Sequence, residues 1–203
     1  MKISRKMLSA ILSVCMIASI VLAQEKMEVD SAKQKSEVKM KVESPAFKEG
    51  DTIPAKYTCD GNDISPALLF SGIPTGTKTL ALICDDPDAP SGDWVHWVIY
   101  NMSADLKGLP ENISLGVSSI NIIDKKEIAL HHGKTDFGKY GYGGPCPPKG
   151  GPHRYYFKLY ALDIKIDFTL EDVKRGITKK ILLERMSDHI IDEAHLMGKY
   201  QRK

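Results

Sequence analysis

From about residue 40 onward, apolar and polar positions change over in short runs that predict strands. Lys39 to Glu43 alternates polar and apolar residues. Thr79 to Cys84 (TLALIC) is a short, almost continuously apolar run that suits a buried strand. Val95 to Tyr100 (VHWVIY) is rich in β-branched and aromatic residues. Arg154 to Leu162 (RYYFKLYAL) alternates again, with Tyr155, Phe157, Leu159 and Ala161 on one face. Turn-forming residues separate these runs at Cys59–Asp63, Ile73–Gly76 and Gly138–Pro152. The spacing is irregular and no helix alternates with the strands, so the pattern predicts antiparallel sheets and not a doubly wound fold. Helices come late. Thr169, followed by Leu170, Glu171 and Asp172, reads as a helix start with acids in its first turn. Thr178 to about His189 places Ile181, Leu182, Arg185 and Met186 at helical spacing, and Glu193 to Tyr200 reads as a closing strand.

The N-terminal pattern is of another kind. Lys2, Arg5 and Lys6 precede an uncharged run from Met7 to Leu22, which is 16 residues long. A membrane span needs about 20 apolar residues. The run therefore reads as a signal peptide, residues 1–23, cleaved after Ala23, and predicts a periplasmic or secreted protein. The alternative is an N-terminal membrane anchor. Residues 24–39 are charged and lack aromatics, which predicts a flexible tether. The compact domain then spans 40–203.

Cleavage changes the charge. It removes three positive residues and no acidic one, taking the formal net charge from +2 to −1. The domain then has no global positive field to attract nucleic acid, and its contact with membranes is confined to the signal segment. Cys59, Cys84 and Cys146 remain. Cys84 sits in an apolar run and reads as a buried thiol, whereas Cys59 and Cys146 lie in polar, turn-rich segments and are candidates for a disulfide. No C-x-x-C pattern suggests structural zinc.

Three polar clusters adjoin these strands. Asp85-Asp86-Pro87-Asp88-Ala89-Pro90 follows the Thr79–Cys84 run, and its prolines stiffen the chain where Asp86 and Asp88 leave the strand. A solvated acidic turn is the plain alternative. In Trp94-Val95-His96-Trp97, strand alternation puts Trp94 and His96 on one face and Val95 and Trp97 on the other. A core histidine is the plain alternative there, but nearby carboxylates could orient and charge the ring. The third cluster runs from Gly143 to Tyr155 (GGPCPPKGGPHRY), a shaped loop whose glycines allow backbone N–H groups close to a ligand. His131-His132 precedes Gly133-Lys134 and reads as an exposed loop pair.

The runs DPDAP, WVHW and GPCPPKGGPHRYYFKLYAL resemble those of the phosphatidylethanolamine-binding protein family, which includes the Raf kinase inhibitor proteins. CDGNDISPAL, GKTDFGKYGYGGPCPP and EAHLMGKY are similar to its bacterial YbhB/YbcL-like branch. The resemblance covers about Met40 to Tyr200. It implies a mainly β fold of two antiparallel sheets with a few peripheral helices near the C-terminus. It also implies a surface pocket for phosphate or similar anions, formed by Asp86, Asp88, Pro90, Trp94, His96, Pro148, His153 and Tyr155. Arg154 matches an arginine expected to make structural ion pairs, with Asp86 or Asp88. Two departures stand out. Val95 replaces the first His of a His-His pair in mammalian relatives, and the chain ends soon after Tyr200 without their pocket-bordering helix. Neither phosphatidylethanolamine preference nor kinase inhibition is therefore carried over.

The expected function is binding of a small anionic or phosphorylated ligand. The pocket's imidazoles would donate N–H groups to it, Asp86 would orient one ring, and Trp94 and Pro148 would wall the site. The alternative is an inhibitor-type protein that uses the same pocket on a protease, kinase or host factor. An enzyme is the least supported class: His96 with Asp86 or Asp88 could act as a base, but no G-x-S-x-G elbow or other nucleophile accompanies them. No cofactor or metal is implied. A homodimer is compatible with the sequence.

Overall fold

The computed structural model describes residues 24, 26, 39–123 and 125–203. The chain divides into two units, Met1–Lys39 and Met40–Lys203. The expected signal peptide and tether fall almost wholly outside the described residues. No helix among the described residues is long and apolar enough to cross a membrane.

Nine strands build the second unit: β1 (Lys41–Glu43), β2 (Leu68–Ser71), β3 (Thr79–Asp86), β4 (Trp94–Ser103), β5 (Gly108–Leu109), β6 (Ser118–Ile123), β7 (Lys126–His132), β8 (His153–Leu162) and β9 (Ile190–Tyr200). They form a three-stranded sheet, β1-β2-β5, and a six-stranded sheet, β6-β7-β4-β3-β8-β9. Every named strand pair is antiparallel. Two helices, α1 (Leu170–Arg175) and α2 (Lys179–Met186), lie between β8 and β9 in sequence. The fold is thus mainly β, with two antiparallel sheets and late helices, as the pattern predicts.

β3 is apolar throughout because both of its faces are covered. Leu80, Leu82 and Cys84 point into the core between the sheets, with Val42, Leu68 and Phe70 of the small sheet and Phe157 and Leu159 of β8. Ala81 and Ile83 point the other way, into a second core closed by Ile177, Leu182 and Met186. Thr178 caps α2 by accepting from the Ile181 N–H, and Leu182 and Met186, one turn apart, are its buried residues. Helix α1 has a complete capping box between Thr169 and Asp172 but buries no residue.

Strict alternation fails in β4. Cys84 pairs with Trp97 but the next residue, Asp85, pairs with Val95, so His96 is an extra residue in the ladder. This bulge separates two side chains expected on one face. Trp97 enters the core between the sheets and Val95 the core under the helices. Bulges re-aim side chains in this way.

His131 and His132 also correct an expectation, since they end β7 and are not an exposed loop pair. His131 stacks on Tyr100 with ring centroids 5.8 Å apart. His132 is buried, and Ser119 and Asn121 of β6 are buried beside it. Trp97 Nε1–H donates to His132 Nδ1 at 3.2 Å, which puts the proton of the neutral ring on Nε2, 3.0 Å from Ser119 Oγ. Partners on both ring nitrogens explain why a polar ring is tolerated in the core.

Candidate functional site

Asp86 ends β3, and its carboxylate is held from two directions. Oδ1 accepts the Asp88 backbone N–H at 2.8 Å, fixing the Pro-bounded turn, and Oδ2 accepts from His153 Nδ1 at 2.7 Å. Only 4% of the Asp86 side chain and 13% of the His153 side chain are exposed. Asp85, one residue earlier, faces the other side of the sheet. It is buried there against Lys158 at 2.8 Å and Lys179 at 2.6 Å, and Lys179 also bonds Asp93. Adjacent acids in the sequence thus serve opposite faces of β3.

The Asp88 carboxylate is used up outside the cavity. It accepts from the Arg154 backbone N–H at 2.9 Å and from the guanidinium at 2.8 and 2.7 Å. These contacts hold its carboxyl at about 2, below the usual carboxylate range. The family resemblance places Asp88 among the ligand-binding residues, but it is absent from the cavity lining. Its fork-on-fork pair with Arg154 instead fastens the DPDAP turn to the start of β8.

The bulge carries His96 toward β8 and a loop. Its ring meets Tyr155 and Phe137 edge-on, with centroids 5.1 and 5.2 Å away. Phe137 also packs edge-on against Trp94 at 5.6 Å. Phe137 is delivered by Asp136, whose carboxylate accepts the Val95 N–H at 2.7 Å while its own N–H donates to Val95 O. Nδ1 of His96 lies 2.7 Å from the Gly143 carbonyl and donates to it. Burial pushes this imidazole below the ordinary histidine range, against the opposing pull of the Gly143 carbonyl and Asp86. The ring is therefore neutral with its proton on Nδ1, and Nε2 presents a lone pair. This revises the expectation that both imidazoles donate N–H groups.

The loop that offers the Gly143 carbonyl is pinned to a distant segment. Cys59 and Cys146 form a disulfide. Cys59 N–H donates to Pro145 O, Tyr142 Oη to Tyr57 O, and Gly144 N–H to Asp63 Oδ1. A side chain at residue 144 could not fit, because its Cβ would lie 2.4 Å from Tyr57 O. Glycine here is needed for close backbone approach.

Together these elements surround a cavity of about 470 Å³. Seven of the eight expected ligand residues line it: Asp86, Pro90, Trp94, His96, Pro148, His153 and Tyr155. Phe137, Cys146, Ser91 and Arg202 line it as well, and sequence reasoning missed them there. Cys146 lies in the Gly143–Tyr155 loop already singled out, and Phe137 is an aromatic in the DFGKYGY turn stretch. Arg202 comes from the far end of the chain. Tyr155 is fully buried, and its Oη has no hydrogen-bond partner. Burial first, and then the nearby Asp86 carboxylate, pushes its phenol well above the ordinary range, so it remains protonated. Among the described residues, no group of three or more His, Cys, Asp or Glu side chains is arranged to hold a metal ion.

Two facing antiparallel sheets, with a pocket where β3, β4 and β8 meet a disulfide-pinned Gly/Pro loop, define a class of β-sandwich binding proteins. The phosphatidylethanolamine-binding protein family model matches residues 43–201, and the chain belongs to that family. A UPF0098 protein of Methanothermobacter thermautotrophicus is 46% identical over 163 residues, covering 80% of this chain and 99% of that one. A UPF0098 protein of Aquifex aeolicus is 41% identical, covering 80% and 89%. A crystal structure of a phosphatidylethanolamine-binding protein homologue from Chlamydia trachomatis superposes with a TM-score of 0.68 at 40% identity, covering 82% of this chain and 99% of that chain. Escherichia coli YbcL gives 0.68 at 30% identity, covering 81% and 99%.

Proposed function

We propose that the protein binds a small anionic, phosphate-bearing ligand in the Asp86–His96–His153 pocket, and that it acts outside the cytoplasm after export on the segment 1–23. The observation that carries the binding reading is the Asp86–His153 pair in the wall of the cavity: the carboxylate holds Nδ1 of the imidazole at 2.7 Å, which leaves Nε2 for a ligand.

The rest of the cavity suits the same ligand. His153 is oriented by Asp86, and its charged form donates from Nδ1 to Asp86 and from Nε2 to an anion. The His96 Nε2 lone pair accepts from a protonated phosphate oxygen or from an ammonium group. The family's name speaks of phosphatidylethanolamine, which carries both a phosphate and an ammonium. Trp94, Phe137, Pro90 and Pro148 supply apolar walls, and the volume lies in the range of small-molecule sites. It leaves room for a substituent on the phosphate. We read the protein as a binder, in keeping with the family's name.

The test is a titration with inorganic phosphate and with phenyl phosphate, followed through histidine ring NMR signals. Both ligands are expected to shift His153 and His96, with phenyl phosphate binding more tightly through the apolar walls. Absence of a shift at either ring up to millimolar ligand would rule the reading out.

A further inference from the structure

Even with His153 charged, the two imidazoles only balance Asp86 and leave no net positive charge for an anion, which one residue outside the family-like motifs supplies. Asp86 contributes a buried negative charge, His96 contributes none, and Arg154 is committed to Asp88 outside the cavity. Among the described lining residues the only permanent cation is Arg202.

The tail that carries Arg202 is fastened over the pocket loop. Tyr200 Oη donates to Asp60 Oδ2 at 2.8 Å, and Gln201 Nε2 donates to Gly150 O at 2.6 Å. Arg202 Nε donates to Asp60 Oδ1 at 3.1 Å. Asp60 is itself held in place, since its neighbour Cys59 is disulfide-bonded to Cys146 of the cavity wall. The guanidinium is thus anchored through Nε alone. Its two terminal nitrogens make no hydrogen bond among the described residues, and the side chain is 37% exposed. Two parallel N–H groups on a planar fork match two oxygens of a phosphate.

We propose that Arg202 is a ligand-binding residue of this pocket, a tail-borne clamp that grips the phosphate group alongside the Asp86–His153 pair. The proposal rests on the pocket reading above and adds what that reading lacks, a fixed positive charge independent of histidine protonation. Asp60 acts as a positioning residue. It takes Nε and leaves the terminal nitrogens for the ligand.

The experiment measures phosphate and phenyl phosphate affinity of the full-length protein by calorimetry at fixed ionic strength, with histidine NMR on the same samples. Arg202→Gln is expected to weaken both ligands by about tenfold or more, the usual range for loss of a charge-assisted hydrogen bond. The saturated variant should still shift His153. Arg202→Lys, which keeps the charge but not the fork, is expected to fall between. Lys203→Gln removes the same charge one residue on, at a position outside the lining, and should leave affinity unchanged. Arg202→Gln binding within twofold of wild type would overturn the clamp. So would an equal loss in Lys203→Gln, which would indicate a general field. A wild-type protein that shows no histidine shift overturns the pocket reading and the clamp with it. Normal wild-type binding with an unaffected Arg202→Gln overturns the clamp alone.

Discussion

Two buried side chains show how differently a polar group is tolerated at the residue scale. Tyr155 Oη has no partner, so its removal should cost the fold nothing. Tyr155→Phe is expected to keep unfolding stability within about 0.5 kcal/mol of wild type, or to raise it. A loss of stability in urea titrations would mean that the hydroxyl has a protein partner after all. His132 is the opposite case, fully satisfied but only while neutral. Burial, and then the neighbouring His131, lowers its imidazole to about 4 from an ordinary 6.5. Between those values the unfolded chain binds a proton that the folded chain refuses. Stability is therefore intact above about pH 6.5, falls as pH drops toward 4 and levels off below. The loss from this ring is at most about 3.5 kcal/mol, since each tenfold drop in proton affinity is worth roughly 1.4 kcal/mol. Urea midpoints measured from pH 7 to pH 4 should show that slope, and His132→Asn should flatten it while lowering stability at pH 7.

Legibility differed from element to element, for physical reasons. β3 and β8 could be read because their apolar runs answer directly to buried faces. The hairpin β6–β7 could not. In β6 the buried positions include Ser119, which bonds His132, and Asn121, which donates to Ser119, while Ile120 and Ile122 face solvent. That inverts the usual pattern, and periodicity reads burial only where buried means apolar. The bulge at His96 escaped notice because it is a property of pairing with β3 and not of the WVHW sequence. Most of the pocket was legible through motif resemblance, since its residues lie chiefly in two short stretches, 86–96 and 148–155. Phe137 and Arg202 were not, because only tertiary contacts bring them there. The disulfide bears on the same loop. It joins positions 87 apart in sequence, and loops of that length lose about 4–5 kcal/mol of closure entropy on cross-linking in the chain-entropy model, with measured values typically about 2–4 kcal/mol. Cys59→Ser with Cys146→Ser is expected to lower stability in urea by about 2–4 kcal/mol. It should also weaken phosphate binding, because the Gly143 carbonyl that sets the His96 tautomer loses its anchor. Unchanged binding with lowered stability would show that the hydrogen bonds to Tyr57 and Asp63 suffice.

Across the whole domain, one strand belongs to both cores. β3 packs the small sheet on one face and the helical layer on the other, so neither core can open without exposing it. The pocket sits at the end of this strand, with Asp86 as its last residue. Rigidity at Asp86 is therefore a consequence of the layer order, whereas the loop and the tail are fixed by the Cys59–Cys146 disulfide and by local hydrogen bonds. Helix α1 buries nothing and is held mainly by its cap and by ion pairs such as Arg185–Asp172. Local opening needs little free energy where few apolar contacts are lost. Amide exchange should accordingly divide the molecule. Leu80 to Cys84 should exchange only through global unfolding, at the free energy found in urea, and Val173 to Arg175 should exchange several kcal/mol more easily. Adding phosphate should slow exchange in 143–155 and at residues 200–202 by local protection. It should slow β3 only as far as binding raises the global stability, by RT ln(1 + [L]/Kd), about 2.7 kcal/mol at a hundredfold excess over Kd. If α1 were protected as strongly as β3, the helices would be part of the cooperative unit and the two cores would not be graded in this way. If the tail gained no protection with phosphate, Arg202 would not close on the ligand, whatever its effect on affinity.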